Sequence, residues 1–220
     1  LLEPSHELAT TRSVYFPQQI TPDGSKIVGS AAFLDALITV PWIGERDIGL
    51  KYLPLPPDLQ GAAVAASNDG RLVAGTLLGS GFPSPPSQAT LWVDGVLQPL
   101  PTNQLWSEVG SVLELIVPPH PHPMNSDGSI VVGASGPAAD QLQATKWVNG
   151  VEQQLSTGEL QPQSSVASFV TNQGVIFGTA TLTDGRVLLV RWDSDGTPQI
   201  LEPPNGLSVV TLNGIDRSGS

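Results

Sequence analysis

Ser67-Asn68-Asp69-Gly70-Arg71-Leu72-Val73-Ala74-Gly75 is a turn followed by a short apolar run that ends in glycine, and the chain repeats it. Asp23-Gly24 leads into Ile27-Val28-Gly29. Asp127-Gly128 leads into Ile130-Val131-Val132-Gly133, and Gln173-Gly174 into Val175-Ile176-Phe177-Gly178. Each run is followed by a tryptophan, at Trp42, Trp92, Trp147 and Trp192. A fifth turn begins at Arg217-Ser218-Gly219. The turn glycines Gly24, Gly70, Gly128, Gly174 and Gly219 are separated by 46, 58, 46 and 45 residues.

Within one period the pattern reads as four strands. In the second repeat, Ala62 to Ala66 is strand A and Arg71 to Thr76 is strand B. Ala89 to Val93 is strand C, and Val96 to Leu100 is a proline-bearing outer strand D. Asp-Gly supplies the positive φ that hairpin turns demand, and proline suits an edge strand. The third repeat copies the second without a gap, Gln143-Ala144-Thr145-Lys146-Trp147-Val148-Asn149-Gly150-Val151 against Gln88-Ala89-Thr90-Leu91-Trp92-Val93-Asp94-Gly95-Val96. A strand-built period of roughly 40–50 residues is that of a propeller blade. A parallel β-helix needs no paired hairpins, so two hairpin turns per period favour antiparallel four-stranded blades. The fold expected is therefore all-β, a β-propeller forming one domain or a fragment of one over 1–220. Its repeats fall near 14–56, 62–101, 124–156 and 166–203, with partial repeats at 1–5 and 207–220. One tryptophan per blade is expected to wedge between sheets, and the glycine after each B run to allow close sheet-to-sheet approach. Leu1-Leu2-Glu3-Pro4 resembles Ile200-Leu201-Glu202-Pro203, which closes the fourth repeat. The natural protein is expected to continue in both directions, or another chain to complete the ring.

Composition narrows the function classes. The 220 residues include 23 glycines and 21 prolines but no cysteine, which suits a turn-rich β protein and excludes disulfide and thiolate metal sites. Nine basic residues against twenty acidic ones give a net charge of −11. No basic patch can form to neutralise phosphates, so nucleic acid is not an expected partner. No apolar stretch approaches the roughly 18 residues needed to span a bilayer, and membrane insertion is not expected.

The turn strings, Thr21-Pro22-Asp23-Gly24-Ser25-Lys26-Ile27-Val28-Gly29 and Asn125-Ser126-Asp127-Gly128-Ser129-Ile130-Val131-Val132-Gly133 among them, resemble the bacterial extracellular HAF repeat. Gln88-Ala89-Thr90 and Gln143-Ala144-Thr145 stand where that repeat carries its naming triplet. The Asp-Gly turns are similar, more loosely, to those of TolB-type propellers. Both resemblances imply a propeller. The first also implies a secreted or cell-surface protein akin to autotransporter passengers, with the periplasm as a further location. Neither supplies a catalytic motif.

Spacing marks a candidate face. In an A–D blade the A–B and C–D turns lie on one face, and the B–C and D–A connections on the other. Turn glycine to tryptophan spans 18, 22, 19 and 18 residues, and tryptophan to the next turn glycine 28, 36, 27 and 27. Both outliers belong to the second repeat: its B–C loop, Gly79 to Ser87, and its D–A connection, Thr102 to Pro123. They carry Phe82, Trp106, His120 and His122. Insertions on one face of a repeat array often mark its binding face. Trp106 reads as a plug over the sheet end or as an aromatic anchor for a partner. His120-Pro121-His122-Pro123 places two imidazoles on alternate residues, which could chelate a metal. A stiff polyproline-like loop explains the same residues, and turn chemistry explains Asp193-Ser194-Asp195-Gly196 without calcium. No nucleophile elbow, paired carboxylates or phosphate loop is present. The expectation is a non-catalytic binding or adhesion scaffold for a protein or glycan, without metal or cofactor, with self-association able to complete the open blade. The alternatives are a structural module of a surface appendage and an extracellular propeller hydrolase or lyase acting on glycans.

Overall fold

The computed structural model describes residues 12–36, 38–79, 86–110 and 122–201. They form four four-stranded antiparallel sheets in chain order. The first sheet comprises β1 (Ser13–Ile20), β2 (Lys26–Phe33), β3 (Ile38–Glu45) and β4 (Gly49–Tyr52). The second comprises β5 (Leu59–Ala66), β6 (Leu72–Gly79), β7 (Gln88–Val93) and β8 (Val96–Pro99). The third comprises β9 (Trp106–Val109), β10 (Ile130–Gly136), β11 (Gln143–Val148) and β12 (Val151–Gln154). The fourth comprises β13 (Ser164–Val170), β14 (Ile176–Thr181), β15 (Val187–Trp192) and β16 (Pro198–Leu201). Every sheet runs A-B-C-D from edge to edge, as blades of a β-propeller do.

Local chemistry explains the two hairpins of each blade. At the C–D turns of the second and third sheets, Asp94 and Gly95 have φ of +50° and +80°, and Asn149 and Gly150 have +48° and +79°. Two consecutive positive values define the two-residue turn whose twist matches its strands. The A–B turn is wider: Ser67 N donates to Leu72 O at 2.9 Å and Gly70 N to Ser67 O at 2.8 Å. Here only the glycine is left-handed, and the aspartate acts through its carboxylate. Asp69 Oδ1 accepts from Ser67 Oγ at 2.6 Å and from Arg71 N at 3.0 Å. Each turn glycine also sits on the preceding sheet, Gly70 over Lys26, Gly128 over Leu72 and Gly174 over Ile130.

Consecutive sheets pack face to face, with β5 against β1, β2 and β3, β9 against β6 and β7, and β13 against β10 and β11. The D strands lie outermost and are largely exposed. Trp92, Trp147 and Trp192 are buried in the three seams, each among apolar residues of the sheet before it. Trp92 meets Val28, Ile43 and Leu53. Trp147 meets Ala74, Ala89 and Leu100, and Trp192 meets Val132, Ala144 and Leu155.

The B-strand glycines have a different role from the close sheet-to-sheet approach that the sequence suggests. They stand in mid-strand, and a Cβ on Gly29, Gly75, Gly133 or Gly178 would strike the A-strand carbonyl of Phe16, Ala62, Glu108 or Val166 in the same sheet. On Gly29 and Gly75 it would also press the blade's own tryptophan. The A strand crowds the glycine where it is bulged, between Pro17 and Gln19, Ala63 and Ala65, and Ala167 and Phe169.

Truncating Trp147 to alanine is expected to cost about 3–5 kcal/mol, as for other buried tryptophans. Gly178→Ala should cost about 1–3 kcal/mol through overpacking against backbone. Gly150→Ala meets no atom and is strained only through its φ of +79°, about 1–2 kcal/mol, so it should cost no more than Gly178→Ala. Urea unfolding of the three variants checks the order.

Candidate functional site

The repeat is broken at one bulge. In the first, second and fourth sheets the A-strand bulge is a single extra residue, Gln18, Val64 or Ser168. In the third sheet β9 pairs up to Val109 opposite Gly133, and pairing resumes with Met124 opposite Val131. Both ends of the interruption hold the same residue of β10: Gly110 N donates to Val132 O at 3.1 Å, and Val132 N donates to Pro123 O at 2.8 Å. Gly110 to His122, thirteen residues, thus replace one. That twelve-residue excess is the whole difference between the 58-residue spacing and the 46 of its neighbours.

The extra length predicted for the D–A connection therefore lies inside strand A. The third blade begins at Trp106, ahead of the 124 expected from the turn pattern. A bulge tolerates this because the strand is already unpaired and bent there, and the ladder on either side keeps its register.

Of the four residues singled out in the sequence, Phe82 and His120 lie outside the described residues. Trp106 opens β9 opposite Gly136 and is half-buried. Its neighbour Ser107 ties this end of the strand to the close of the second sheet's B–C loop. Ser107 N donates to Ser87 O at 3.0 Å, and Ser107 Oγ accepts from Ala89 N at 3.0 Å. So the end of the B–C loop and the start of β9 are neighbours, but the extra length itself lies beyond Val109, farther along the strand. His122 sits farther along, in the seam between the third and fourth sheets. It bridges Phe169, accepts from Val170 N at 3.1 Å and places its ring edge-on to Phe169 at 6.2 Å. Trp106 and His122 thus flank opposite ends of the interrupted strand.

A second departure from the repeat is an open cleft of about 250 Å³ on the turn side of the first sheet. Asp23, Ser25, Lys26, Glu45, Arg46, Asp47 and Ile48 line it. The signal in the sequence is the longer turn between Trp42 and Gly49. Lys26 occupies the position that is Leu72, Ile130 and Val175 in the other repeats; its Nζ lies 3.9 Å from Glu45 Oε1. Asp23 Oδ1 accepts from Ser25 N at 2.9 Å, Ser25 Oγ at 2.8 Å and Thr21 Oγ1 at 2.7 Å. These bonds, the Ser25 amide first, bring its pKa down to about 2. Asp69 and Asp127 are also lowered, chiefly by side-chain bonds from Ser67 and Ser129. Carboxylates held ionised in this way are poor proton donors near neutral pH. Among the described residues no group of three His, Cys, Asp or Glu side chains is placed to hold a metal ion.

No protein-family model matches the chain, and no curated protein matches it. Solved structures do. TolB from Acinetobacter baumannii aligns with a TM-score of 0.57 and 15% identity over 88% of this chain and 44% of its own. A putative TolB from Agrobacterium tumefaciens aligns at 0.54 and 14% over 88% of this chain and 62% of its own. A neuraminidase-like protein from A/bat/Guatemala/164/2009 aligns at 0.52 and 14% over 90% of this chain and 56% of its own. The chain spans less than two thirds of each of these structures. At such identity the likeness is one of fold, and the fold is the β-propeller.

The turn carboxylates make stability pH-dependent. Their folded pKa values lie below the unfolded value near 4, so their contribution is complete above about pH 4 and is lost as the pH falls toward the folded value. For Asp23 that window runs down to about pH 2. The urea midpoint is expected to fall across this range, and Asp23→Asn to flatten the fall. A midpoint that is constant over the window would contradict the assignment.

Proposed function

We propose that the chain is a non-catalytic binding scaffold, an extracellular or cell-surface propeller of the HAF-like kind that presents its third blade to a protein or glycan partner. The interrupted strand carries this reading. Thirteen residues stand where the other three sheets spend one, and the ladder on either side needs only one. Surplus length on a rigid repeat scaffold is where recognition commonly resides. Trp106, half-buried at the start of the same strand, adds an amphipathic ring at its edge. The described aspartates with lowered pKa are engaged by turn amides, hydroxyls or arginines, which supports a scaffold over a hydrolase or lyase. The HAF-like turn strings support an extracellular location. Among the described residues no helix is long and apolar enough to cross a membrane.

Replacing Gly110–His122 by a single serine would restore the bulge of the fourth sheet. The variant is expected to keep its circular dichroism and to gain up to about 2 kcal/mol from the shorter loop. It should lose the signal that the parent chain gives on a glycan array or on intact bacterial cells in flow cytometry. Equal signals from parent and variant, or no signal from the parent on either, would sink the proposal.

A further inference from the structure

The side of each sheet that faces the sheet before it carries the same apolar rung. Ala66 stands opposite Val73, Met124 opposite Val131 and Val170 opposite Ile176. In three seams the preceding sheet covers this rung, and the six residues are 2% exposed or less. The first sheet has the same rung in Ile20 and Ile27, which are 57% and 37% exposed. Tyr15 and Leu50, on the same face, are exposed as well. Among the described residues no sheet precedes the first. Apolar surface gathered on one sheet face marks an interaction surface.

Two further features make this face specific. The first is a displaced wedge. Trp92, Trp147 and Trp192 stand opposite Val73, Val131 and Ile176, but Gly44 stands opposite Ile27, and Trp42 lies two residues away, opposite Gly29. The second is an unanswered donor. The other three indoles donate to a carbonyl that follows a buried leucine of the sheet before: Trp92 Nε1 to Pro54 O at 2.9 Å, Trp147 Nε1 to Pro101 O at 2.9 Å and Trp192 Nε1 to Ser156 O at 2.6 Å. Trp42 is 6% exposed, and its Nε1 is buried without a hydrogen-bond partner.

The far side of the fourth sheet is shaped to answer both. In the first three sheets the residue before the B-strand glycine receives the next tryptophan: Val28, Ala74 and Val132, all fully buried. In the fourth sheet that residue is Phe177. Beside it Leu189 stands where the second and third sheets have Ala89 and Ala144. Both Phe177 and Leu189 are partly exposed. A face with glycine in place of tryptophan thus matches a face with larger side chains at the contact. The residue after the B-strand glycine supplies an acceptor. In the second sheet it is Thr76, whose Oγ1 accepts at 3.0 Å from the amide of Val109, opposite Gly133 in the next sheet. The fourth sheet has Thr179 at that place. Opposite Gly29 in the first sheet stands Pro17, which has no N–H to give, and across the same glycine stands Trp42, which has.

Within one chain the strands that pack across sheets belong to consecutive sheets, so the first and fourth sheets do not cover each other. We propose that the first sheet of one copy of the chain docks on the fourth sheet of a second copy and continues the stack of blades head to tail. Phe177 then lies over Gly44, and the Thr179 hydroxyl accepts the Trp42 indole N–H. Charge does not oppose the contact. Arg191 on the docking face is paired with Asp193 at 2.6 Å, and Lys146 holds the same place in the seam between the third and fourth sheets. Such a contact is heterologous and builds a closed ring or an open filament.

Sedimentation of the full chain at rising concentration tests this, with Ile20→Asp to block the first face and Phe177→Asp to block the fourth. The parent should pass from single to doubled or higher mass. Each variant alone should stay single and keep its circular dichroism. The mixture decides, because each variant retains the face that the other has lost. Together they should form a capped dimer of doubled mass. Should Phe177→Asp lose its fold, Leu189→Asp takes its place. Thr179→Val, which keeps the shape and removes the hydroxyl, should weaken association roughly five-fold, and unchanged affinity overturns that bond. A parent that stays single at every concentration overturns the proposal. So does association that survives either aspartate variant, or a mixture that stays single.

Discussion

The array depends on one contact repeated at each seam, an indole that wedges between sheets and donates its N–H to the carbonyl after a buried leucine. The apolar ring supplies most of the stabilisation, because a buried tryptophan removes a large area from water. The hydrogen bond adds only about 1 kcal/mol net, but an unmade bond from a buried donor costs about 1–3 kcal/mol. The polar end therefore selects geometry more than it adds stability. A neighbouring sheet that slides by one residue presents an N–H or a side chain in place of the carbonyl, and the wedge no longer fits. Repetition of this contact makes consecutive sheets stack at one register.

That contact constrains the rest of the blade. The A strand brings a carbonyl over the B-strand glycine of every sheet, and at Gly29 and Gly75 the blade's own indole presses on the same spot. Glycine and bulge form one unit, and neither can change alone. Within it, the bulge has slack. Its extra residue takes no part in the regular ladder, so its identity is free to vary as glutamine, valine or serine across three sheets. In the third sheet the same slack admits thirteen residues, while Val109 and Met124 keep their partners on β10. The position that tolerates new sequence is thus fixed by the packing that forbids it elsewhere.

These constraints explain what could be read from the chain alone. The blades were legible because hairpin turns and alternating strands are local, and because Asp94-Gly95 and Asn149-Gly150 have few other conformations open to them. The tryptophan position was legible by its period in the second, third and fourth sheets, whereas Trp42 stands opposite Gly29, two residues from the place its period suggests. β9 was not, since Trp106-Ser-Glu-Val109 is four residues long and is severed from the turn that marks every other A strand. Spacing shows that the second period is longer, but spacing alone cannot tell a loop from an interrupted strand. The seat of each tryptophan was hidden for another reason. Its acceptor is a backbone carbonyl, carried by proline twice and by serine once, and only the leucine before it repeats.

The two departures from the repeat differ in chemistry as well as place. At the turn side of the first sheet, Lys26 covers Gly70 with its methylene stem and turns its ammonium toward Glu45, a charged residue doing the packing of a leucine. Arg46 stands beside Asp47 in sequence and close to it in the same cleft, and the Asp23 carboxylate is spent on its own turn. Of those charges, Lys26 faces Glu45 and Asp23 is held by its own turn. In the third sheet the insertion closes on Val132 at both ends, restoring the ladder that a single residue would have completed, and its last residue, His122, bonds to the fourth sheet. Length that the ladder does not need, at an inner strand of a rigid blade, is what the proposed binding role draws on.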